Sequence, residues 1–190
     1  MLAVQAAADN RQFGLDADVR SGLRSFVLRL VADRELADDL TQEALAKAHE
    51  KADQFRGEGT RAAWLRGIAL NIVRDHFRKE NRRVRVTSNP DLLNSIPDQG
   101  SIEAEYLENE MAVCIRRFVF ALPRRQSEMI AMHDLAGLDH AEAAKRLDIS
   151  PANGRVLLHR GRKNLRLKLE KECKLDFDGD SAPCEPRARK

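Results

Sequence analysis

Apolar residues recur at helical spacing in three segments of the first half of the chain. The first stripe spans residues 19–31 and the second spans residues 35–51. The third begins at residue 61 and puts Trp64 on the same face as Ile68, so we expect this tryptophan in a core. The glycines of the segment FRGEGT end the second helix before the third begins. The pattern predicts a small helical domain.

The second half of the chain begins with a linker and then returns to helical spacing. Residues 86–100 contain two prolines and no sustained period. Periodicity resumes near Ile102, breaks at Pro123 and continues to Glu172, after which the tail is predicted to be loop. No strand pattern is present, so we expect an all-α fold of two small helical domains. The predicted divisions are an N-terminal extension (1–18), a first helical domain (19–85), a linker (86–104), a second helical domain (105–172) and a tail (173–190).

Composition and charge favour a folded protein that contacts a polyanion. Hydrophobic residues make up 43% of the chain, charged residues 33% and aromatic residues only 5%, which is typical of a helix-rich domain. The net charge of +3 is small. Basic residues nevertheless crowd into residues 74–85 and 155–171, and residues 91–110 are acidic. Two basic blocks indicate two separate contacts with a partner such as nucleic acid.

The sequence shows no pattern typical of export, catalysis or cofactor binding. The first ten residues carry no basic segment, and no window is apolar enough to cross a bilayer, so we expect a cytoplasmic protein without membrane insertion. There is no phosphate-binding glycine loop, no HExxH and no paired ligand cluster. We therefore expect no catalytic residues, no bound metal and no cofactor.

Three cysteines are too few for a disulfide scaffold. Cys173 and Cys184 enclose an acidic part of the tail, which leaves three alternatives open: a reversible disulfide, a metal site shared with a partner, or an inert tail. Cys114 lies on an apolar helix face and is expected in the core.

The segment from residue 139 to residue 169 carries the most specific local signal. Asp139 can cap a short helix, and the small pair Ala143–Ala144 permits a second helix to approach closely. A turn at Asp148–Ile149 precedes a helix that starts with Ser150 as its N-cap and proline at its first position. The following helix is strongly basic, as a helix that reads the major groove requires. The alternative is a helical hairpin with a solvated basic face.

This second half resembles region four of the bacterial sigma factors. The residues LPRRQSEMIAMHDLAGLDHAEAAKRLDISPANGRVLLHRGRKNLR match its pattern of an LPxRQR start, a G(L/M)S(H/Y)xEIA helix and a GISPGTVKSRLHRAR recognition helix. In that family the module reads the minus-thirty-five promoter element.

The first half independently resembles region two of the same family. ELADDLTQEALAKAHEKADQF is similar to AEDLVQExFLRAWxxxxxF, and RAAWLRGIALNIVRDHFRKENRR is similar to xxWLxxIAxNxxRDxxRxxxRR. The linker leaves no room for a third domain, which is typical of the extracytoplasmic-function type. The resemblance implies a transcription initiation factor with core RNA polymerase, promoter DNA and an anti-sigma factor as partners.

The resemblance also implies which residues of the first domain bind those partners. The residues that it implies for docking on the clamp helices of the largest polymerase subunit are Asp38, Asp39, Gln42 and Glu43. Contacts to the minus-ten element, including a loop over residues 55–61 that captures a flipped base, fall on Phe55, Arg56, Arg61, Asn71, Arg74, His76, Arg78 and Lys79. The alternatives are a solvated helix start and a plain interhelical turn.

The resemblance implies that the second domain also meets the flap of the second-largest polymerase subunit. The minus-thirty-five contacts that it implies are Arg124, Arg125, Ser150, Asn153, Arg155, Val156, His159, Arg160 and Lys163. The recognition helix departs from the family pattern, because Gly154 stands where a buried valine is usual. Val156 or Leu157 therefore either contacts a thymine methyl or replaces the packing that Gly154 lacks.

The acidic span over residues 91–110 resembles the family's connector through the polymerase cleft, and a solvated tether is the alternative. Two other function classes are weaker. An autonomous helix-turn-helix regulator leaves the DDLTQE and WLRGIALN segments unused, and a nuclease lacks a pair of metal-binding carboxylates on one face.

Overall fold

A computed structural model of the chain describes residues 16–55, 59–86, 102–175 and 184–186. Within these ranges the chain is almost entirely helical, and none of the described helices is long and apolar enough to span a membrane. The helices are α1 (Ala17–Val31), α2 (Arg34–Glu50), α3 (Arg61–Val86), α4 (Ile102–Phe120), α5 (Arg124–Ile130), α6 (His140–Arg146) and α7 (Pro151–Glu172). The all-α prediction is confirmed. Helix α4 includes Ile102 to Ala104, which the sequence pattern assigned to the linker.

The chain divides into two compact units, Met1–His76 and Phe77–Lys190. The division falls inside α3, before the end of the first domain that the sequence pattern suggested at residue 85. In the first unit, Asp16 caps α1 and Asp33 caps α2, each by accepting a hydrogen bond from a backbone N–H three residues later. These caps set where the two helices begin.

The core of the first unit is formed by the three predicted stripes. Helix α1 buries five large side chains, whereas most of the side chains that α2 buries are small, which lets the two helices approach closely. The buried residues are Leu23, Phe26, Val27, Leu30, Val31, Ala37, Leu40, Ala44, Ala48, Leu65, Ala69, Leu70, Ile72 and Val73. The prediction that Trp64 and Ile68 lie in the core was only partly right, because both residues are half-buried. The Trp64 ring packs instead against Phe55, with ring centroids 5.6 Å apart.

In the second unit, the last part of α3 packs on α4. The rings of Phe77 and Phe120 stack with centroids 5.0 Å apart, and Arg117 donates to Glu80 at 2.5 Å. The Asn81 side chain also donates to the backbone carbonyl of Arg117 at 3.1 Å. Cys114 was predicted to lie in the core, but it is only half-buried on α4.

The helix-turn-helix of the second unit is built as predicted. After α5 the chain continues as a π-helical turn, Ala131–Leu135, and leads into α6, which Asp139 caps by accepting from the backbone N–H of Ala141 at 2.8 Å. Asp148 takes a left-handed conformation (φ 52°) in the turn. Ser150 caps α7 by accepting from the N–H of Asn153 at 3.3 Å.

Helix α7 is held by a narrow stripe of buried residues, two of which are glycines. Its buried positions are Gly154, Leu158 and Gly161. A Cβ atom at position 154 would lie 3.1 Å from the Cβ of Ala144, and one at position 161 would lie 2.9 Å from the Cδ1 of Ile130. The two glycines therefore let α7 pack against α6 and α5 at distances where an added Cβ atom would make its neighbours shift.

The tail differs from its prediction. Cys173–Leu175 (β1) and Cys184–Pro186 (β2) form an antiparallel pair directly after α7, so the loop prediction was wrong for both strands. Three-residue strands carry too little alternation to be recognised from a sequence window. Cys173 is opposite Pro186, and Cys184 is opposite Leu175. The two cysteines are thus diagonal neighbours in the strand pair.

Replacing Gly154 with valine, the residue usual in the resembled pattern, should destabilise the second unit. The added side chain meets the Cβ of Ala144, which is fixed to α6 and cannot rotate away. Overpacking of this kind costs about 1–3 kcal/mol. Ala152→Val is the matched control, since it adds a valine on the exposed face of the same helix. Urea unfolding should show a larger loss for Gly154→Val, and equal losses would show that position 154 has room.

Asp139 should make the stability of the second unit depend on pH. The backbone N–H of Ala141 lowers the pKa of the Asp139 carboxyl below its ordinary value of 3.8. Because the pKa is lowered in the folded protein, the ionised Asp139 contributes fully to the free energy of unfolding above about pH 4. That contribution is lost as the pH falls through the pKa of the folded state.

Asp139→Asn keeps a capping oxygen but has no charge to titrate. The difference in free energy of unfolding between wild type and Asp139→Asn should therefore shrink from pH 6 to pH 3. A difference that stays constant over this range would contradict a stabilising carboxylate at this cap.

Candidate nucleic-acid interface

The exposed face of α7 carries most of the residues predicted to contact the upstream DNA. The buried stripe of this helix is narrow, so the remaining side chains spread over the opposite side. Among the described residues, Arg155, Arg160 and Lys163 are exposed and form no ion pair. The other predicted contacts on this face are Asn153, Val156 and His159, and all are exposed. The face is positively charged and unobstructed along more than two helical turns.

Other polar side chains of the same unit hold α7 in place. Arg162 forms a bidentate ion pair with Asp134 at 3.0 and 2.5 Å, and this contact raises the pKa of the Arg162 guanidinium. The Asn164 amide donates to Gln126 of α5 at 2.8 Å. Each pair joins residues far apart in sequence, so no local pattern could have revealed them.

Two predicted contact residues at the start of α5 have intramolecular partners. Arg125 donates to the backbone carbonyl of Leu147 at 3.0 Å, which satisfies a carbonyl at the end of α6. Arg124 donates to Glu128 at 2.7 Å but remains largely exposed. Ser150, also predicted as a contact, is occupied by its role as the N-cap of α7. These three residues support the fold whatever else they bind.

Three of the four residues of the acidic patch predicted on α2 are exposed on one side of the helix. Asp39, Gln42 and Glu43 are exposed and lie at positions i, i+3 and i+4, so they share one side of the helix. Glu43 accepts a hydrogen bond from Lys47 at 3.1 Å within this face. Together these side chains present several hydrogen-bond acceptors to a partner surface.

Asp38 differs from those three residues because it has a partner on another helix. Arg24 of α1 binds both of its carboxylate oxygens, one through Nε and the other through Nη2 at 3.0 Å. The hydrogen bond from Arg24 lowers the pKa of Asp38, so this carboxylate stays ionised. The sequence pattern did not predict this role of Arg24, because its partner Asp38 lies on the next helix.

The residues predicted to contact the minus-ten DNA lie along α3 and the segment before it. Asn71, Arg78 and Lys79 are exposed, and the Asn71 amide donates to the carbonyl of Gly67 at 3.0 Å. Arg61 is exposed at the first position of the helix. Helix α3 therefore offers both uncharged and basic side chains to solvent.

Two members of the same predicted group are less accessible. The Arg74 side chain is only 17% exposed and lies 3.7 Å from Asp75, and His76 is half-buried. Phe55 is also half-buried against Trp64. Arg56 lies outside the described residues, so the loop over residues 55–61 is described only at its two ends.

Comparison with known proteins identifies both helical modules. Residues 17–83 match the profile of sigma-70 region 2, and residues 112–165 match that of sigma-70 region 4. The ECF RNA polymerase sigma factor SigF of Caulobacter vibrioides is 30% identical over 174 residues, covering 83% of this chain and 90% of that protein. The RNA polymerase sigma factor SigZ of Bacillus subtilis is 28% identical over 156 residues, covering 82% and 85%.

A solved structure shares the fold. CnrH, determined in complex with the cytosolic domain of CnrY, matches with a TM-score of 0.53 at 24% identity, over 90% of this chain and 96% of that one. The two region profiles fall in order on the helices that carry the exposed acidic and basic faces, and the similarity to SigF extends over most of both chains. The chain therefore belongs to the ECF RNA polymerase sigma factors.

Proposed function

We propose that this sigma factor binds core RNA polymerase through α2, contacts the minus-ten element through α3 and reads the minus-thirty-five element through α7. It acts in the cytoplasm as a specificity subunit and carries out no chemistry itself. The observation that carries the proposal is the exposure, on a single side of α2, of Asp39, Gln42 and Glu43, which match the family's docking motif. An autonomous DNA-binding protein has no need of that surface.

In the docking step, the exposed side of α2 meets the clamp helices of the largest polymerase subunit. Carboxylates and amide oxygens accept hydrogen bonds from basic side chains, and charge-assisted bonds of this kind are stronger than neutral ones. Asp38 contributes indirectly, because its bidentate pair with Arg24 fixes α2 against α1. The rigid pairing of these helices keeps the three exposed side chains in a defined arrangement.

In the upstream step, α7 lies in the major groove. Arginine can bind guanine through two hydrogen bonds, and lysine neutralises phosphates, so Arg155, Arg160 and Lys163 supply both specificity and affinity. Arg124 and Arg125 at the start of α5 lie at the family's contact positions, with Arg125 also closing the end of α6. The flap of the second-largest subunit is the proposed polymerase contact of this domain.

In the melting step, α3 and the segment before it bind the separated minus-ten strand. Exposed Asn71, Arg78 and Lys79 suit contacts to the strand backbone, and the pair of rings at Phe55 and Trp64 offers an aromatic surface for a base taken out of the stack. Arg74 and His76 contribute less directly, because their side chains are largely covered.

Regulation by an anti-sigma factor is part of the proposal. The domains are taken as residues 19–85 and 105–172, joined by the acidic linker, and a protein that covers the α2 surface would prevent polymerase docking. This part of the proposal rests on the family resemblance.

The double substitution Asp39→Ala and Gln42→Ala should strongly weaken polymerase binding without unfolding the protein. Both side chains are exposed, so the fold loses nothing. Truncation of an interface hot spot to alanine costs about 2 kcal/mol or more, so the affinity for core polymerase should fall at least about tenfold. Pull-down of core subunits and run-off transcription measure the effect.

Glu50→Ala is the matched control, because it also removes one negative charge from an exposed position of α2, at its last residue. Circular dichroism should be unchanged for all variants. Core binding that survives the double substitution would contradict the docking assignment. Tight sequence-specific DNA binding by the wild-type protein without polymerase would favour an autonomous regulator instead.

A further inference from the structure

Val156 is an apolar side chain placed in the middle of a basic surface. It is 45% exposed, although its helix has apolar positions elsewhere that are covered by α5 and α6. It lies in the second turn of α7, and the N-terminal turns of a recognition helix are those that reach base edges in the major groove.

The fold gives Val156 no packing role. Gly154 and Leu158, each two residues away, are both buried, so Val156 points to the opposite side of the helix. The close approach at Gly154, where a Cβ atom would lie 3.1 Å from the Cβ of Ala144, leaves no space that a neighbouring side chain must fill. The sequence allowed Val156 either to contact a thymine methyl or to replace the packing that Gly154 lacks, and the structure excludes the second role.

The neighbours of Val156 select nucleic acid as its partner. Asn153 and His159 lie one turn before and one turn after it, and Arg160 lies beside them. Arg160 is exposed and, among the described side chains, has no acidic partner. A surface of this charge attracts a polyanion, and the apolar group that a major groove presents is the C5 methyl of thymine.

We infer that Val156 is a specificity-determining residue that contacts a thymine methyl group in the upstream promoter element. The inference rests on the proposed function and extends it from a surface to one base. It assigns to this protein a preference for thymine over any base that lacks the methyl group at that position.

Deoxyuridine tests the inference, because it differs from thymidine only by that methyl. The holoenzyme, assembled from the full chain and core polymerase, first selects its upstream element from a randomised duplex. Each thymine of the selected element is then replaced by deoxyuridine, one at a time and on either strand, and binding is measured for wild type and Val156→Ala.

At one thymine or two adjacent thymines, the replacement should weaken wild-type binding roughly fourfold, the effect of exposing one buried methyl group, and should leave Val156→Ala binding unchanged. Leu167→Ala is the control, since Leu167 is the other large exposed apolar side chain of α7 and is 53% exposed. This variant should retain the wild-type discrimination.

Two results would overturn the inference: no thymine with this behaviour, or a Val156→Ala variant that discriminates as well as wild type. A loss of anti-sigma binding by Val156→Ala without any methyl effect would assign the side chain to a protein contact instead. Failure of the proposed function is seen separately, as a wild-type protein that gives no promoter-dependent transcription with core polymerase, and the inference fails with it.

Discussion

The close packing of α7 on the two helices before it is the constraint on which the DNA-facing surface depends. Gly154 and Gly161 present no side chain, so the helix axis comes near Ala144 and Ile130 and a narrow stripe is enough to hold the helix. Because so little of α7 is buried, most of its circumference is left for polar and charged residues. The same packing fixes the direction of those residues, because a helix held on one stripe cannot rotate without separating the small residues from their contacts.

Not every basic residue of the second unit serves the outward surface. Arg162 and Arg125 are bound to Asp134 and to the carbonyl of Leu147, where they join α7 to the π-helical turn and close the end of α6. Arg155, Arg160 and Lys163 have no such partner among the described residues. The division is physically sensible, because a guanidinium already bound to a carboxylate has fewer donors left for a phosphate or a base. A simple count of positive charges would overstate the contact surface.

Much of the fold could be predicted from the sequence, because helices are specified by the local spacing of apolar residues and by capping residues at their ends. Asp139, Ser150 and the turn at Asp148 are signals that act over three or four residues. What escaped prediction depends on pairs distant in sequence: Arg24 with Asp38, Asp134 with Arg162, and the strand that ends in Leu175 with the one that begins at Cys184. The half-burial of Trp64 was missed for the same reason, since periodicity assigns a face but not the neighbours that cover it. For the candidate site, the sequence predicted the helices and most exposed residues, but it could not separate Asp38 from the three residues beside it.

In the proposed function, the exposed face of α7 meets DNA while the exposed face of α2 meets polymerase. Photo-cross-linking tests this assignment most directly, with a photoreactive residue placed at position 159 in one variant and at position 46 in another, each in the promoter-bound holoenzyme. Ala46 is exposed and lies one turn after Gln42 on the same side of α2. We expect the probe at position 159 to label the upstream promoter DNA and the probe at position 46 to label the largest polymerase subunit. Labelling of protein alone from position 159, or of DNA from position 46, would contradict the assignment of the two faces.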